Sequence, residues 1–265
     1  MSIWDYAHTP TDTVADFCAI SECPFCCVRL HRSAVSAPLI TFYHSRSEIY
    51  LGTCQLCGWW NIQQDVQERI DRFHTQIYER GSYGVLKNLD LRDINTPLQE
   101  VRDYLTAKYE RRFEVNPRLF EETVGSVFAD HGFSVEVTAY SGDGGVDVIL
   151  TDGTARIGVQ VKRYKDAIEA EEIRSLLGAL VIGGMTKGIF ISTSSFRSGA
   201  TSAAELSARR GWPIELVDAD QFYSALEISQ RQVDRRSEEW IGEIIPHLRI
   251  VNSYKSLDED GFYED

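Results

Sequence analysis

Ser141–Lys165 reads SGDGGVDVILTDGTARIGVQVKRYK. Gly142-Asp143-Gly144-Gly145 is a turn in which three of the four positions accept positive φ without steric cost. Val146–Leu150 follows as a strand, an apolar run interrupted by Asp147. A carboxylate in that setting is costly to bury unless it is paired or bound to a metal. Thr151-Asp152-Gly153-Thr154 signals a hairpin turn, and the chain returns along Ile157–Lys162. Period-two alternation puts Gln160 and Lys162 on one face and Val159 and Val161 on the other. Two local readings follow. Either the hairpin is a polar edge with an Asp147–Lys162 ion pair, or Asp147 and a second oxygen donor hold a hard divalent cation.

Working outward, Asn116-Pro117 opens a helix, with Asn as N-cap and Pro at the first helical position. Phe120, Val124, Val127 and Phe128 form its buried stripe and Gly132 ends it. Glu121 stands at the margin of that stripe, able to reach the edge of the core. Phe133–Thr138 alternates as a half-buried strand. Past the hairpin come a helix over Glu169–Val181, a buried strand over Lys187–Thr193, an Ala-rich helix through Arg210, a short strand at Ile214–Val217 and a closing helix over Asp220–Ile228. The order αβββαβαβ implies an α/β domain, a mixed sheet flanked by helices.

This region resembles the Mrr-type restriction endonuclease domain, a branch of the PD-(D/E)xK nuclease superfamily. The resemblance rests on Phe120-Glu121 with Val124, on Gly142–Asp147, and on Gln160-Val161-Lys162-Arg163-Tyr164, and it covers roughly residues 113–226. It implies a restriction-endonuclease-like fold and a Mg²⁺-dependent DNA endonuclease acting in restriction of foreign or phage DNA. By position, Asp147 would be the central metal-binding Asp and Lys162 the catalytic lysine. Glu121 would be the supporting helix carboxylate. Gln160 would stand where most of the superfamily has Glu or Asp, giving a Mg²⁺ set of Asp147, Gln160 and Glu121. Arg163, Lys165 and Arg197 are candidate phosphate contacts or ordinary solvated charge.

The N-terminal third carries Cys23-Pro24-Phe25-Cys26 and, after 27 intervening residues, Cys54-Gln55-Leu56-Cys57 before Gly58-Trp59-Trp60. Two such pairs supply the four thiolates of a structural Zn²⁺ site with no position left open for water. Leu39–Tyr43 and Glu48–Leu51 read as strands between the knuckles, the pattern of a small zinc ribbon. Cys18 and Cys27 read as small buried residues outside the ligand set, and the two tryptophans as packing. From Asn61 to about Glu79, Ile62, Val66, Ile70, Phe73 and Ile77 recur at helical intervals. A second helical pattern runs from Pro97 through Tyr109 with Thr96 as N-cap, its mixed charges read as a solvated face. The expected organisation is a ribbon with its following helix over 1–80, a helical linker over 81–115, the nuclease-like domain over 116–228, and a helical and acidic tail over 229–265.

The net charge is −13, an awkward value for a partner of a polyanion. Residues 113–228 hold 17 acidic and 10 basic side chains; carboxylates that hold cations account for part of the excess. No apolar run approaches the roughly 18–20 residues of a membrane span. The start has neither a basic n-region nor an apolar core, so no signal peptide is read there. The expected setting is the cytoplasm, with DNA as substrate, a homodimer or larger assembly for double-strand cutting, and room for a regulatory protein partner. The competing functional classes are a non-catalytic DNA- or protein-binding module on a nuclease fold, and an RNA nuclease.

Overall fold

In the computed structural model, residues 3–7, 15–16, 18–36, 45–70, 74–138, 145–153, 155–235 and 238–257 are described. The chain divides into two compact units: Met1–Asn88 with Val233–Asp265, and Leu89–Gln232.

The first unit is an antiparallel sheet of β1 (Trp4–Tyr6), β2 (His31–Ser36), β3 (Ser45–Thr53), β4 (Trp60–Arg69), β5 (His74–Leu86) and β11 (Arg249–Leu257). The order is β1-β5-β4-β3-β2, with β11 also paired to β5. The helix expected over 61–79 is therefore two strands. Ile62 and Val66 lie four apart, an interval that fits a helix turn and equally two strand repeats. Gln64 lies between them and is buried with both, its amide donating to Ser47 Oγ at 2.9 Å. A polar residue in an inward position hid the alternation. The predicted strand Glu48–Leu51 falls inside β3, while Leu39–Tyr43 lies outside the described residues. The core gathers on Trp59 and Trp60, both fully buried, with Ile49, Leu51, Leu56 and Ile62. Truncating a tryptophan so placed costs about 3–5 kcal/mol.

The tail helix is also shorter than its apolar spacing suggests. α6 (Glu238–Ile244) gives way to a 3-10 turn at Ile245–His247. Pro246 enters there without the N–H that an α-helix needs, and Ile250 lies on β11 rather than on a helix. The acidic residues from 258 onward lie outside the described part.

The second unit holds a five-stranded sheet in the order β10-β9-β8-β7-β6. Its members are β6 (Ser134–Val137), β7 (Val148–Asp152), β8 (Ala155–Lys162), β9 (Lys187–Ser192) and β10 (Ile214–Val217). β6, β7 and β8 are antiparallel, and β8, β9 and β10 parallel. The helices are α1 (Leu98–Ala107), α2 (Pro117–Asp130), α3 (Ala170–Ile182), α4 (Ser198–Arg209) and α5 (Ala219–Gln230). This is the mixed sheet flanked by helices that the order of elements implies. One core joins Ile173, Leu176 and Leu180 of α3 to Ala200 and Ala204 of α4 over Phe190 of β9. Gly158 and Gly188 are register partners on β8 and β9, and a Cβ on either would meet Leu180 at 2.7 or 2.6 Å. The missing side chains let α3 settle directly on the parallel part of the sheet.

α1 differs from its expected solvated character. Arg102, Asp103 and Thr106 are all buried and paired. Arg102 bonds Asp130 and Ser229, each at 2.6 Å. Asp103 accepts from Gln99 at 2.8 Å and Gln230 at 2.6 Å. Mixed charge along this helix reflects an internal network with α2 and α5. Thr96 does not cap it; the hydroxyl donates to the Asp90 carbonyl and Pro97 takes the cap position.

Candidate active site and cysteine cluster

The β7–β8 hairpin closes with Asp152 opposite Ala155, leaving a two-residue loop that begins at Gly153. Val148 faces Val159, so Asp147, one residue before β7, stands across from Gln160. Asp147 N–H donates to the Val159 carbonyl at 2.8 Å, and its own carbonyl accepts from Thr138 N–H at 3.0 Å. The backbone around Asp147 is thus clamped from both neighbouring strands. Its Oδ2 accepts from Val161 N–H at 2.6 Å, which turns the carboxylate toward β8. Of the preceding glycine turn, 141–144 lie outside the described residues.

Gln160 is 5% exposed, and its Oε1 is buried without a hydrogen-bond partner. A buried amide oxygen left in that state costs about 1–3 kcal/mol. Beside a carboxylate, such an oxygen has the chemistry of a donor to a hard cation. The donor set of Asp147 and Gln160 therefore fits Mg²⁺. Lys162 lies two residues further along β8 on the same face, opposite Ser192 of β9. It makes no ion pair among the described residues, and Nζ stands over the Tyr164 ring at 5.9 Å. The polar-edge reading with an Asp147–Lys162 ion pair is not what forms.

Glu121 arrives from α2, whose Asn116 cap accepts from Arg118 N–H at 3.0 Å. Its side chain is 18% exposed and meets Arg118 Nη1 at 3.3 Å. The same Nη1 donates to the Thr138 carbonyl at 2.5 Å, and Thr138 is the residue that clamps Asp147. Arg118 therefore ties the Glu121 helix to the strand end at Asp147, while its Nε pairs with Glu122 at 3.2 Å. The sequence reading missed Arg118. Its signal was present in the spacing, since carboxylates three and four residues on share its helix face. Arg197, by contrast, is paired with Glu169 at 2.8 Å on the surface.

In the first unit, the four sulfurs of Cys23, Cys26, Cys54 and Cys57 lie within 4.8 Å of one another, with Cys23 and Cys57 at 3.6 Å. A tetrahedral ion with bonds of about 2.3 Å separates its sulfurs by about 3.8 Å, so the cluster fits a thiolate-bound metal. Each knuckle is a matched turn. Cys27 N–H reaches the Cys23 carbonyl at 2.9 Å, and Gly58 N–H the Cys54 carbonyl at 3.0 Å. Both closing residues are left-handed, at φ 54° and 75°. Cys54–Cys57 forms the end of the β3–β4 hairpin, and β2 brings the first knuckle to the same end by pairing His31 with Thr53.

Cys18 is buried as expected, its thiol donating to the Ile62 carbonyl at 3.1 Å, but Cys27 is exposed. The left-handed turn swings its side chain outward. Burial pushes the Cys18 thiol up to about 11. Iodoacetamide at about pH 8 is therefore expected to label Cys27 in the folded protein and to spare Cys18. Peptide mapping by mass spectrometry reads this directly, and rapid labelling of Cys18 would contradict it.

With this geometry in place, residues 113–226 match the family model described as restriction endonuclease. That segment, rather less than half of the chain, is similar to restriction-endonuclease domains of the Mrr type. Among curated proteins, the type IV methyl-directed restriction enzyme EcoKMrr of Escherichia coli (strain K12) is 31% identical over 121 residues, 42% of this chain and 40% of the relative. The uncharacterized protein y4cE of Sinorhizobium fredii (strain NBRC 101917 / NGR234) is 35% identical over 89 residues, 31% of this chain and 23% of the relative. Both matches span less than half of the relative's length. Among solved structures, restriction endonuclease FokI bound to DNA superposes with a TM-score of 0.37 and 15% identity over 62% of this chain and 35% of that one.

Proposed function

We propose that this chain is a Mg²⁺-dependent DNA endonuclease that hydrolyses phosphodiester bonds in foreign DNA. The observation that carries the reading is the unpartnered, buried Gln160 oxygen across the hairpin from Asp147, inside a segment that matches the restriction endonuclease family. Asp147 and Gln160 would hold the cation, with Glu121 as a further carboxylate on the α2 side. When bound, the cation polarises the phosphate and acidifies a water. Lys162 places an ammonium on the same strand face, where it holds the attacked phosphate and offsets the charge that develops on it. Asp147 keeps its orientation through the Val161 N–H, so little rearrangement is needed at the moment of reaction.

The cysteine cluster would hold Zn²⁺ in a purely structural role, since all four ligands come from the chain. Among the described residues no helix is long and apolar enough to cross a membrane, and we place the enzyme in the cytoplasm. A single set of these residues cuts one strand, so double-strand cutting calls for two copies. The test is incubation of supercoiled plasmid with the full chain, with and without Mg²⁺, on methylated and unmethylated DNA. Nicked or linear product that appears only with the cation supports the reading. Intact plasmid on every substrate, with DNA binding retained, would instead favour a non-catalytic module.

A further inference from the structure

We propose that a cleft between the end of β8 and the start of α2 is a phosphate subsite for an internal phosphodiester of a bound DNA strand; this rests on the nuclease reading above. The cavity has a volume of about 310 Å³, and Arg92, Phe113, Glu114, Asn116 and Arg163 are among its walls. Two of those walls directly adjoin the elements that carry the site. Arg163 directly follows Lys162 at the end of β8, and Asn116 caps α2, the helix of Glu121.

The cleft is built rather than incidental. Asn116 N–H donates to the Leu91 carbonyl at 2.7 Å and its side-chain amide to the Arg92 carbonyl at 3.2 Å. These bonds hold the backbone of Arg92 against the start of α2. Arg92 is exposed and makes no side-chain hydrogen bond or close ion pair among the described residues, although its charge reaches Glu114 across the cleft. Arg163 spends Nη1 on the Phe113 carbonyl, and its Nε is buried with no partner. Glu114, the acid in the wall, is committed to Arg111 at 2.5 Å. That guanidinium holds the Glu114 carboxyl below its ordinary range.

Two arginines thus line a small polar cleft whose carboxylate is already paired with Arg111. Guanidinium is planar, always charged and matched to phosphate oxygens. Phe113 extends the feature sideways, with Arg112 Cζ 4.3 Å and Lys165 Nζ 5.8 Å from its ring centroid. In a chain of net charge −13, such a local concentration of cations can hold a polyanion that the overall field repels.

The experiment is fluorescence anisotropy of a fluorescein-labelled duplex with the full chain, without added Mg²⁺, across a salt series. Arg92→Gln and Arg163→Gln are each expected to weaken binding about 3- to 10-fold and to lower the salt slope by about 1. Arg197→Gln, which removes a guanidinium already paired with Glu169, should leave the slope unchanged. Duplexes with and without terminal 5′-phosphates should respond alike. A loss confined to phosphorylated ends would show a strand-end pocket and overturn the proposal. So would parent-like slopes in both arginine variants. Arg163 is partly buried, so thermal melts accompany it; Arg92 is exposed and keeps the test decisive. Plasmid cutting by the parent is scored in parallel. A parent that cuts while both variants keep its slope sinks the subsite alone. A parent that binds and shows the arginine effect but never cuts sinks the nuclease reading and retains the subsite.

Discussion

Asp147→Ala is expected to abolish Mg²⁺-dependent plasmid cutting, and Lys162→Ala to reduce it by at least the roughly 10²–10³-fold that removing one preorganised charge-stabilising group costs. The two losses should be distinguishable. On the proposed reading Asp147 supplies the anionic oxygen across the hairpin from Gln160, so its removal should also weaken Mn²⁺ binding, measured by calorimetry or electron paramagnetic resonance. Lys162 carries a cation and stands over Tyr164 instead of pairing with a carboxylate. Its alanine variant should bind Mn²⁺ as the parent does, or slightly better, while the chemical step fails. Cutting at the parental rate by either variant would remove the assignment.

The second large effect concerns the cysteine cluster. If the cluster holds zinc as proposed, chelating the metal, or changing Cys54 to Ser, should unfold the first unit. Structural zinc contributes on the order of 10–16 kcal/mol in zinc-finger peptides near neutral pH, more than the roughly 5–15 kcal/mol net stability of a typical domain. Trp59 and Trp60 lie immediately after the second knuckle and are fully buried, so their fluorescence should shift to the red on chelation. The measurement is tryptophan emission alongside zinc per chain by elemental analysis. One zinc per chain, with loss of metal and red shift occurring together, is the expected result. A metal-free protein with native emission would contradict it.

How much of this was readable in advance depends on the element. In the second unit, strands and helices alternate with clear turn residues between them. β10 was anticipated to the residue, and the Asn116-Pro117 cap formed as read. The adjacency of Asp147 and Gln160 follows from hairpin arithmetic, because the loop length fixes which residues face each other. The first unit was harder for a definite reason. Ile62 and Val66 satisfy both periodicities, and the residue that would have chosen between them, Gln64, is a buried polar one. Burial of Arg102 and Asp103 was equally hidden, since their partners Asp130, Ser229 and Gln230 lie far along the chain and only folding brings them near. The ion pairs of Arg118 with Glu121 and Glu122 were legible in the spacing, but its tie to the strand goes to a backbone carbonyl, which leaves no mark on side-chain pattern.

The pairing of β11 with β5 has a consequence for the order in which the molecule assembles. Arg249 meets Gly81 and Leu257 meets His74, so the first unit is completed by a segment that follows the whole of the second. Loop closure over so long a span is entropically costly unless the intervening chain is already compact. The second unit, continuous from Leu89 to Gln232, can fold by itself as it emerges, and by shrinking the separation between its ends it makes the closing strand accessible. Until then β5 exposes part of an unpaired edge. The second unit is therefore expected to mature before the sheet of the first unit, whose strands flank it in sequence on both sides.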